Sequence, residues 1–159
     1  VRAMPNTPAM IGCGATGLYA PAGVSVELRS EAESLMRAVG IVQWVEDESL
    51  IDSITALSGS GPAYVFLVME AMQAAAEKLG LDEKAARLLT LETVFGAARL
   101  AMESNDTPAV LRSRVTSPGG TTEQGIKALE EAGVREAFEK ALAAARNRSI
   151  ELAAQLEKH

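Results

Sequence analysis

The sequence predicts an all-α domain that follows a short extended N-terminal segment. Aromatic residues make up only 4% of the chain although 48% of it is hydrophobic. The core must therefore be built from aliphatic side chains, which suits closely packed helices. From Ser25 onward, apolar residues recur at three- and four-residue steps, which is the period of an amphipathic helix. Residues 1–24, by contrast, are dense in proline and glycine, which favours turns and extended chain.

The N-terminal segment contains one strand candidate, Gly17–Ala20. An opening this irregular is unusual for an independent domain. We therefore predict that residues 1–24 are a connector that follows another part of a longer chain. Residues 25–159 are then the helical domain.

The first helix is predicted to start at Ser25 and to end at Gly40, a residue typical of helix C-termini. Ile41–Val45 is a short strand candidate. Helical spacing resumes over Ser49–Leu57, and we expect the run Gly59-Ser60-Gly61 to stop this second helix.

The segment Pro62–Leu79 predicts a helix that is apolar on nearly every face, with Glu70 as its one acidic residue before Glu77. A helix that is apolar all round must be buried all round, which a domain of this size has trouble achieving alone. We therefore predict an intimate homodimer. The alternative is a central helix that is enclosed within one monomer.

The remaining helices begin at recognisable capping residues. Asp82 caps a helix that runs to about Met102, and Thr107 followed by Pro108 starts a short helix to Val115. Thr121–Gln124 matches a capping box, which opens a helix to about Glu131. A long amphipathic helix is predicted from Val134 to about Glu157.

Charge and composition exclude several classes of function. The net charge is -6 with no basic block, which argues against nucleic-acid binding. Cys13 is the only cysteine and His159, at the chain end, the only histidine, so we expect neither a disulfide nor a metal site. We find no signal peptide and no membrane-spanning stretch, and we expect a cytoplasmic protein.

Two glycine-rich motifs have structural explanations. Gly12–Gly17 matches G-x-G-x-x-G, but the dinucleotide fingerprint needs a strand before it and a helix after it. Pro21 would interrupt such a helix, so we interpret the motif as a turn that leads into a strand. Ser58–Pro62 could cradle a phosphate, but it lacks the lysine of a P-loop. We favour a helix end that packs closely against a neighbour.

Ser117–Thr122 is the best candidate for a binding site. Its two glycines free the backbone to wrap a ligand, and the helix start that follows presents unpaired N–H groups with partial positive charge. The threonine hydroxyls add further donors and acceptors. This set suits a carboxylate beside a nitrogen, although the residues alone are equally compatible with a simple helix cap.

Four motifs, in order and at matching spacing, resemble the pyrroline-5-carboxylate reductase family: Met4–Pro8, Gly14–Thr16, Leu57–Tyr64 and Val115–Thr122. The resemblance implies reduction of 1-pyrroline-5-carboxylate to L-proline, the last step of proline biosynthesis, with NADPH or NADH. It implies an N-terminal Rossmann domain, so that residues 1–24 would be a connector from this nucleotide-binding domain and residues 25–159 the helical domain that pairs and binds substrate. Without the Rossmann domain we expect the chain to be inactive. It also implies helical domains that interlock as homodimers, often assembled into decamers.

The resemblance also assigns roles to individual residues. Ser117, Gly119, Gly120 and Thr121 would form the substrate loop, whose backbone N–H groups at Gly119–Thr121 receive the carboxylate. The Thr122 hydroxyl would be catalytic by bonding the ring nitrogen of the substrate. Glu48 would line the substrate pocket. The resemblance implies cofactor contacts at Asn6 and Thr7, and at Arg114, where some members have asparagine.

Two other hypotheses remain open on the residues alone. The chain could be a stand-alone helical dimerisation or scaffold module of the same ancestry. It could also be a different helical enzyme that uses Thr122 and Glu48 in another way. Hydride transfer needs positioning more than a strong acid or base, so a site without histidine or metal fits the reductase.

Overall fold

A computed structural model describes residues 1–156, which form two compact units. The first unit contains residues 1–64 and the chain from Phe138 onward, and the second contains Val65–Ala137. His159 and the predicted helix end at Glu157 lie outside the described residues.

A three-stranded sheet organises the first unit. Its strands are β1 (Arg2–Met4), β2 (Gly14–Tyr19) and β3 (Gly40–Val45). β1 pairs antiparallel with β2, and β2 pairs parallel with β3. Helix α1 (Val26–Arg37) connects the two parallel strands, so β2, α1 and β3 form a βαβ unit. This small sheet matches the predicted extended segment before a helical chain, and the boundary that we predicted at residue 24 lies inside the βαβ unit.

Helix α1 begins where the sequence predicts. The Ser25 hydroxyl accepts a hydrogen bond from the backbone N–H of Leu28 at 3.3 Å, which satisfies one of the free N–H groups of the first turn. The predicted end at Gly40 is wrong, because α1 ends at Arg37 and Gly40 is the first residue of β3. Gly40 lies opposite Gly14, and a Cβ at position 40 would lie 2.0 Å from the Gly14 carbonyl oxygen. The glycine therefore permits close approach of two strands.

The second helical segment ends at its glycines, after a π-helical turn that the sequence did not indicate. Helix α2 (Leu50–Ile54) continues as a π-helical turn over Thr55–Gly59, and α3 (Gly61–Lys78) follows. Ser60 N–H donates to the Thr55 carbonyl at 2.8 Å, the longer ring that defines a π-helix. The predicted break at Gly59–Gly61 is confirmed, because Ser60 caps the π-helical turn and separates it from α3.

The core of the first unit lies where the sheet meets α2. Leu18 on β2, Ile51 on α2 and Ala56 on the π-helical turn are almost completely buried. Helix α7 (Val134–Leu156) contributes Ser149, whose hydroxyl donates to Asp52 on α2. This hydrogen bond joins α7, at the end of the chain, to α2.

The second unit is helical. It contains most of α3, then α4 (Glu83–Glu103), α5 (Pro108–Arg114), α6 (Thr121–Glu131) and the first turn of α7. The predicted caps are confirmed at two starts: Asp82 accepts from Ala85 N–H at 2.9 Å, and Thr107 accepts from Val110 N–H at 3.4 Å. Among residues 1–156, no helix is long and apolar enough to cross a membrane.

Candidate functional site

The loop between α5 and α6 is a tight turn built on two glycines. Gly119 has φ +73°, a left-handed conformation that strains any residue with a Cβ. Gly120 N–H donates to the Ser117 carbonyl at 3.0 Å and closes the turn. A Cβ at Gly120 would lie 3.0 Å from that same oxygen. The loop therefore favours glycine at both positions, at Gly119 because of its backbone conformation and at Gly120 because of the close carbonyl oxygen.

The start of α6 differs from the predicted capping box. The N-cap is Gly120, which has no side chain to offer, and the first helical residue is Thr121. Glu123, at the third helical position, reaches back and accepts from Gly119 N–H at 2.8 Å. The prediction of a Thr121–Gln124 pair is wrong by one residue, because the left-handed Gly119 turns the chain earlier than the pattern indicates.

The loop's N–H groups divide into occupied and open donors. Of the three predicted to receive a carboxylate, Gly119 N–H is bonded to Glu123 and Gly120 N–H to Ser117. Within residues 1–156, no acceptor is found for the N–H groups of Thr121 and Thr122. Thr121 and Thr122 are also exposed. The open donors lie on the first turn of α6, where the helix dipole is positive and favours an anion.

Ion pairs link α5 and α6, the two helices that this loop connects. Arg112 on α5 contacts Glu130 on α6 at 3.1 Å, and Arg135 contacts the same carboxylate at 2.6 Å. The hydrogen bond from Arg135, followed by that from Arg112, lowers the pKa of Glu130 below its usual value. Thr116 also donates its hydroxyl to the Arg112 carbonyl at 2.6 Å. A cleft of about 390 Å³ lies here, lined by Arg112, Ser113, Thr116, Ile126 and Glu130.

Arg114, a predicted cofactor contact, is held by an acidic partner. Its guanidinium forms an ion pair with Asp106, in the loop between α4 and α5. Ser104 also donates its hydroxyl to Asp106, at 3.1 Å. An arginine engaged in this way would have to leave Asp106 before it could reach a phosphate.

The other predicted site residues lie in the first unit and are engaged there. The Asn6 side-chain amide donates to the Ser58 carbonyl at 3.0 Å, and its oxygen accepts from Ala15 N–H at 2.9 Å. Asn6 thus links the π-helical turn to β2. Glu48 pairs with Arg2 on β1 at 3.1 Å. Thr7 is exposed and begins a short 3-10 turn, Thr7–Ile11.

The predicted site residues are therefore divided between the two units. Asn6, Thr7 and Glu48 belong to the first, while Arg114 and the loop Ser117–Thr122 belong to the second. Sequence reasoning missed Glu123. The sequence signal for Glu123 was its position three residues after Gly120, because an acidic residue at the third position of a helix often accepts from the N–H groups that precede the helix.

The other sequence motifs have structural roles. Gly12 ends the 3-10 turn, and Gly14–Gly17 lie in β2, which confirms a turn leading into a strand. Cys13 is exposed and unpaired. Within residues 1–156, no group of three His, Cys, Asp or Glu side chains is placed to hold a metal ion.

Fold and loop together define a helical domain whose glycine turn precedes a helix start with open N–H donors, and a βαβ unit lies before this domain in the chain. Residues 48–152 match the family model described as pyrroline-5-carboxylate reductase dimerisation. The chain belongs to this family.

The relatives are reductases of the same name. The chain is 55% identical to the pyrroline-5-carboxylate reductase of Pseudomonas aeruginosa over 98% of its own length and 57% of the relative's. The reductase of Haemophilus influenzae is 43% identical over 96% of this chain and 56% of its own length. The chain therefore spans little more than half the length of these relatives.

Two experimental structures resemble it closely. A pyrroline-5-carboxylate reductase from Coxiella burnetii is 59% identical with a TM-score of 0.92, over 95% of this chain and 56% of that one. The Plasmodium falciparum enzyme, whose structure has NADP bound, is 31% identical with a TM-score of 0.86, over 92% of this chain and 60% of that one.

Proposed function

We propose that this chain is the pairing and substrate-binding part of a pyrroline-5-carboxylate reductase, which reduces 1-pyrroline-5-carboxylate to L-proline. The observation that carries the proposal is the loop Ser117–Thr122. It lies in a chain of which 98% aligns with a named reductase at 55% identity. The loop offers open N–H donors beside a free hydroxyl, as a cyclic amino acid with a carboxylate next to its nitrogen requires.

The substrate would lie against the start of α6. Its carboxylate would accept from the open N–H groups of Thr121 and Thr122, while Ser117, Gly119 and Gly120 shape the turn that exposes them. The Thr122 hydroxyl would hydrogen-bond the ring nitrogen. It can accept from the protonated imine or donate to the neutral one, so it holds the C=N bond in a fixed orientation. Glu48 would line the pocket.

The reaction also requires a nicotinamide cofactor, NADPH or NADH, which supplies the hydride when bound. Residues 1–156 contain no glycine loop between a strand and a following helix of the kind that binds a pyrophosphate. We therefore propose that most cofactor contacts come from other residues of the enzyme. Thr7 and Asn6 would approach the nicotinamide, and Arg114 could add a phosphate contact only by leaving Asp106.

Residues 1–45 fit the end of that cofactor-binding domain. The sheet β1-β2-β3 with its α1 crossover is an α/β arrangement, whereas the family model of the dimerisation domain begins at residue 48. The connector that we predicted over 1–24 would thus extend to about residue 45, and the pairing domain would start near the acidic run Glu46–Glu48. The proposal includes a cytoplasmic location, which the single cysteine suits.

Self-association would proceed through α3. No residue of α3 is buried in the single chain, and Phe66 and Leu67 are 57% and 65% exposed. A monomer that enclosed this helix would bury these side chains. A second copy would cover them, as the family description implies. We also propose that these dimers assemble further into decamers.

Substitution of Thr122 in the complete enzyme tests the proposed function. We expect Thr122→Ala to lower kcat/KM for pyrroline-5-carboxylate by about 10- to 100-fold, which is the loss of one hydrogen bond to a polar substrate. Thr122→Ser keeps the hydroxyl and should retain most activity. Circular dichroism controls for folding. Absence of NAD(P)H-dependent turnover in the wild-type enzyme would favour the scaffold module, and equal kinetics for Thr122→Ala would remove Thr122 from the site.

A further inference from the structure

We propose that the Glu123 carboxylate competes with the substrate's carboxylate for the α5–α6 loop, and so sets how strongly the loop binds anionic ligands. The inference rests on the proposed function and extends it to a residue that the loop motif does not include. A ligand would have to displace the Glu123 carboxylate from the loop or bind next to it.

The observation is the contact between Glu123 and Gly119. One carboxylate oxygen of Glu123 accepts from Gly119 N–H at 2.8 Å, within the turn that precedes α6. Gly119 and Glu123 are both exposed, so no packing holds the carboxylate in place. Glu123 is also free of ion pairs among the described residues, since none of the salt bridges there includes it. Its hydrogen bond to the loop is therefore its only polar contact in this part of the chain.

The chemical argument depends on two carboxylates and one set of donors. Gly119 N–H, Thr121 N–H and Thr122 N–H lie within four consecutive residues. A ligand carboxylate that uses all of these groups needs the one that Glu123 holds. A ligand that uses only Thr121 and Thr122 lies beside a second negative charge, which opposes binding. In both cases Glu123 weakens binding of a ligand through its carboxylate and does not weaken binding of an analogue that lacks the carboxylate.

A purely structural role for Glu123 predicts the opposite result. If the Glu123–Gly119 bond serves to hold the loop in its binding shape, its removal loosens the loop. Ligands with and without a carboxylate would then bind more weakly, because both use the same turn. The direction of the change in affinity for the ligand that carries a carboxylate therefore separates competition from capping.

The experiment compares L-proline with L-prolinamide as inhibitors of the complete reductase. In Glu123→Ala, we expect the inhibition constant of L-proline to fall by about three- to tenfold, the range of one net hydrogen bond. L-prolinamide keeps the ring ammonium of L-proline but lacks the carboxylate, so its inhibition constant should not fall. Glu123→Gln keeps an acceptor without the charge, so it should shift L-proline in the same direction by less. It also guards against a folding defect in the alanine variant.

The control is Glu131→Gln, which removes the same charge from the far end of α6. It should leave both inhibition constants unchanged. An L-proline constant that is equal or higher in both Glu123 variants, while the wild type turns over, overturns the competition and leaves the proposed function intact. A wild-type enzyme that neither turns over nor is inhibited by L-proline overturns the proposed function, and this inference with it.

Discussion

The Ser149 hydroxyl on α7 donates a 2.6 Å hydrogen bond to Asp52 Oδ1 on α2, across 97 positions of sequence. Asp52 is only 9% exposed. A carboxylate in this setting depends on its partner, because a buried charged group without a hydrogen bond retains the full cost of desolvation. The contact therefore holds the C-terminal part of the chain against the helix that precedes the π-helical turn.

Removal of this hydroxyl should destabilise the fold. We expect Ser149→Ala to lower the free energy of unfolding by about 1–3 kcal/mol, the usual cost of leaving a buried charged acceptor unpaired. Urea denaturation measures the change. Ser34→Ala, on the exposed surface of α1, is the matched control and should change stability by less than about 0.5 kcal/mol. Equal stabilities of the two variants would show that the Asp52 contact is dispensable.

Pairing through α3 should depend on Phe66. In a symmetric dimer the substitution Phe66→Ala acts twice, and each buried aromatic contributes about 1.5–3 kcal/mol. We expect the dissociation constant of the dimer to rise by roughly 10²–10⁴-fold, measured by analytical ultracentrifugation.

Met10 provides the control for Phe66. It is 89% exposed and lies outside α3, so Met10→Ala should leave association unchanged. A wild-type chain that is a compact monomer at micromolar concentration would contradict the pairing proposal itself.

Stability should respond with opposite signs to alanine at Gly119, in the α5–α6 loop, and at Gly125, in α6. Gly119 has φ +73°, so Gly119→Ala should cost about 1–2 kcal/mol of stability through backbone strain. Gly125 lies inside α6 with open space around it. Gly125→Ala should stabilise the chain by about 0.5–1 kcal/mol, the helix propensity difference. Thermal unfolding of both variants tests the pair, and a destabilised Gly125→Ala would reveal a contact that the single chain does not contain.

The Glu130 cluster should make stability depend on acidity. The hydrogen bonds from Arg135 and Arg112 lower the pKa of Glu130 in the folded chain. The pairing therefore stabilises the fold at pH values above the carboxylate's ordinary pKa of 4.5, and this contribution is lost as the pH falls through the lowered folded value. We expect Glu130→Gln to reduce the difference in stability between neutral and acidic pH.

Urea midpoints from neutral pH down to the acid range provide the measurement. The charge-matched control is Glu131→Gln, which removes a neighbouring carboxylate that contacts Lys127 at 3.8 Å and neither arginine. Identical pH profiles for wild type and Glu130→Gln would rule out a contribution from the cluster.

Local signals in the sequence determined most of the helices and their starts. Asp82 and Thr107 cap helices as predicted, and Ser25 caps the helix that was predicted to start there, because an N-cap hydrogen bond joins residues only a few positions apart. The apolar residues on nearly every face of residues 62–79 indicated α3 and the expectation of a partner. The motif Ser117–Thr122 indicated the loop, because its glycines and threonines are neighbours in the chain.

Only the tertiary structure decided which distant groups meet. Gly40 resembles a helix end in the sequence, and its true role depends on Gly14 across the parallel strands. The engagement of Asn6 by Ser58 and of Arg114 by Asp106 could not be read from the chain. Gly119 N–H donates to Glu123 because α6 starts one residue earlier than the capping-box pattern predicted. The physical reason is that capping and periodicity are local, whereas pairing and occupancy depend on where the folded backbone brings each donor and acceptor.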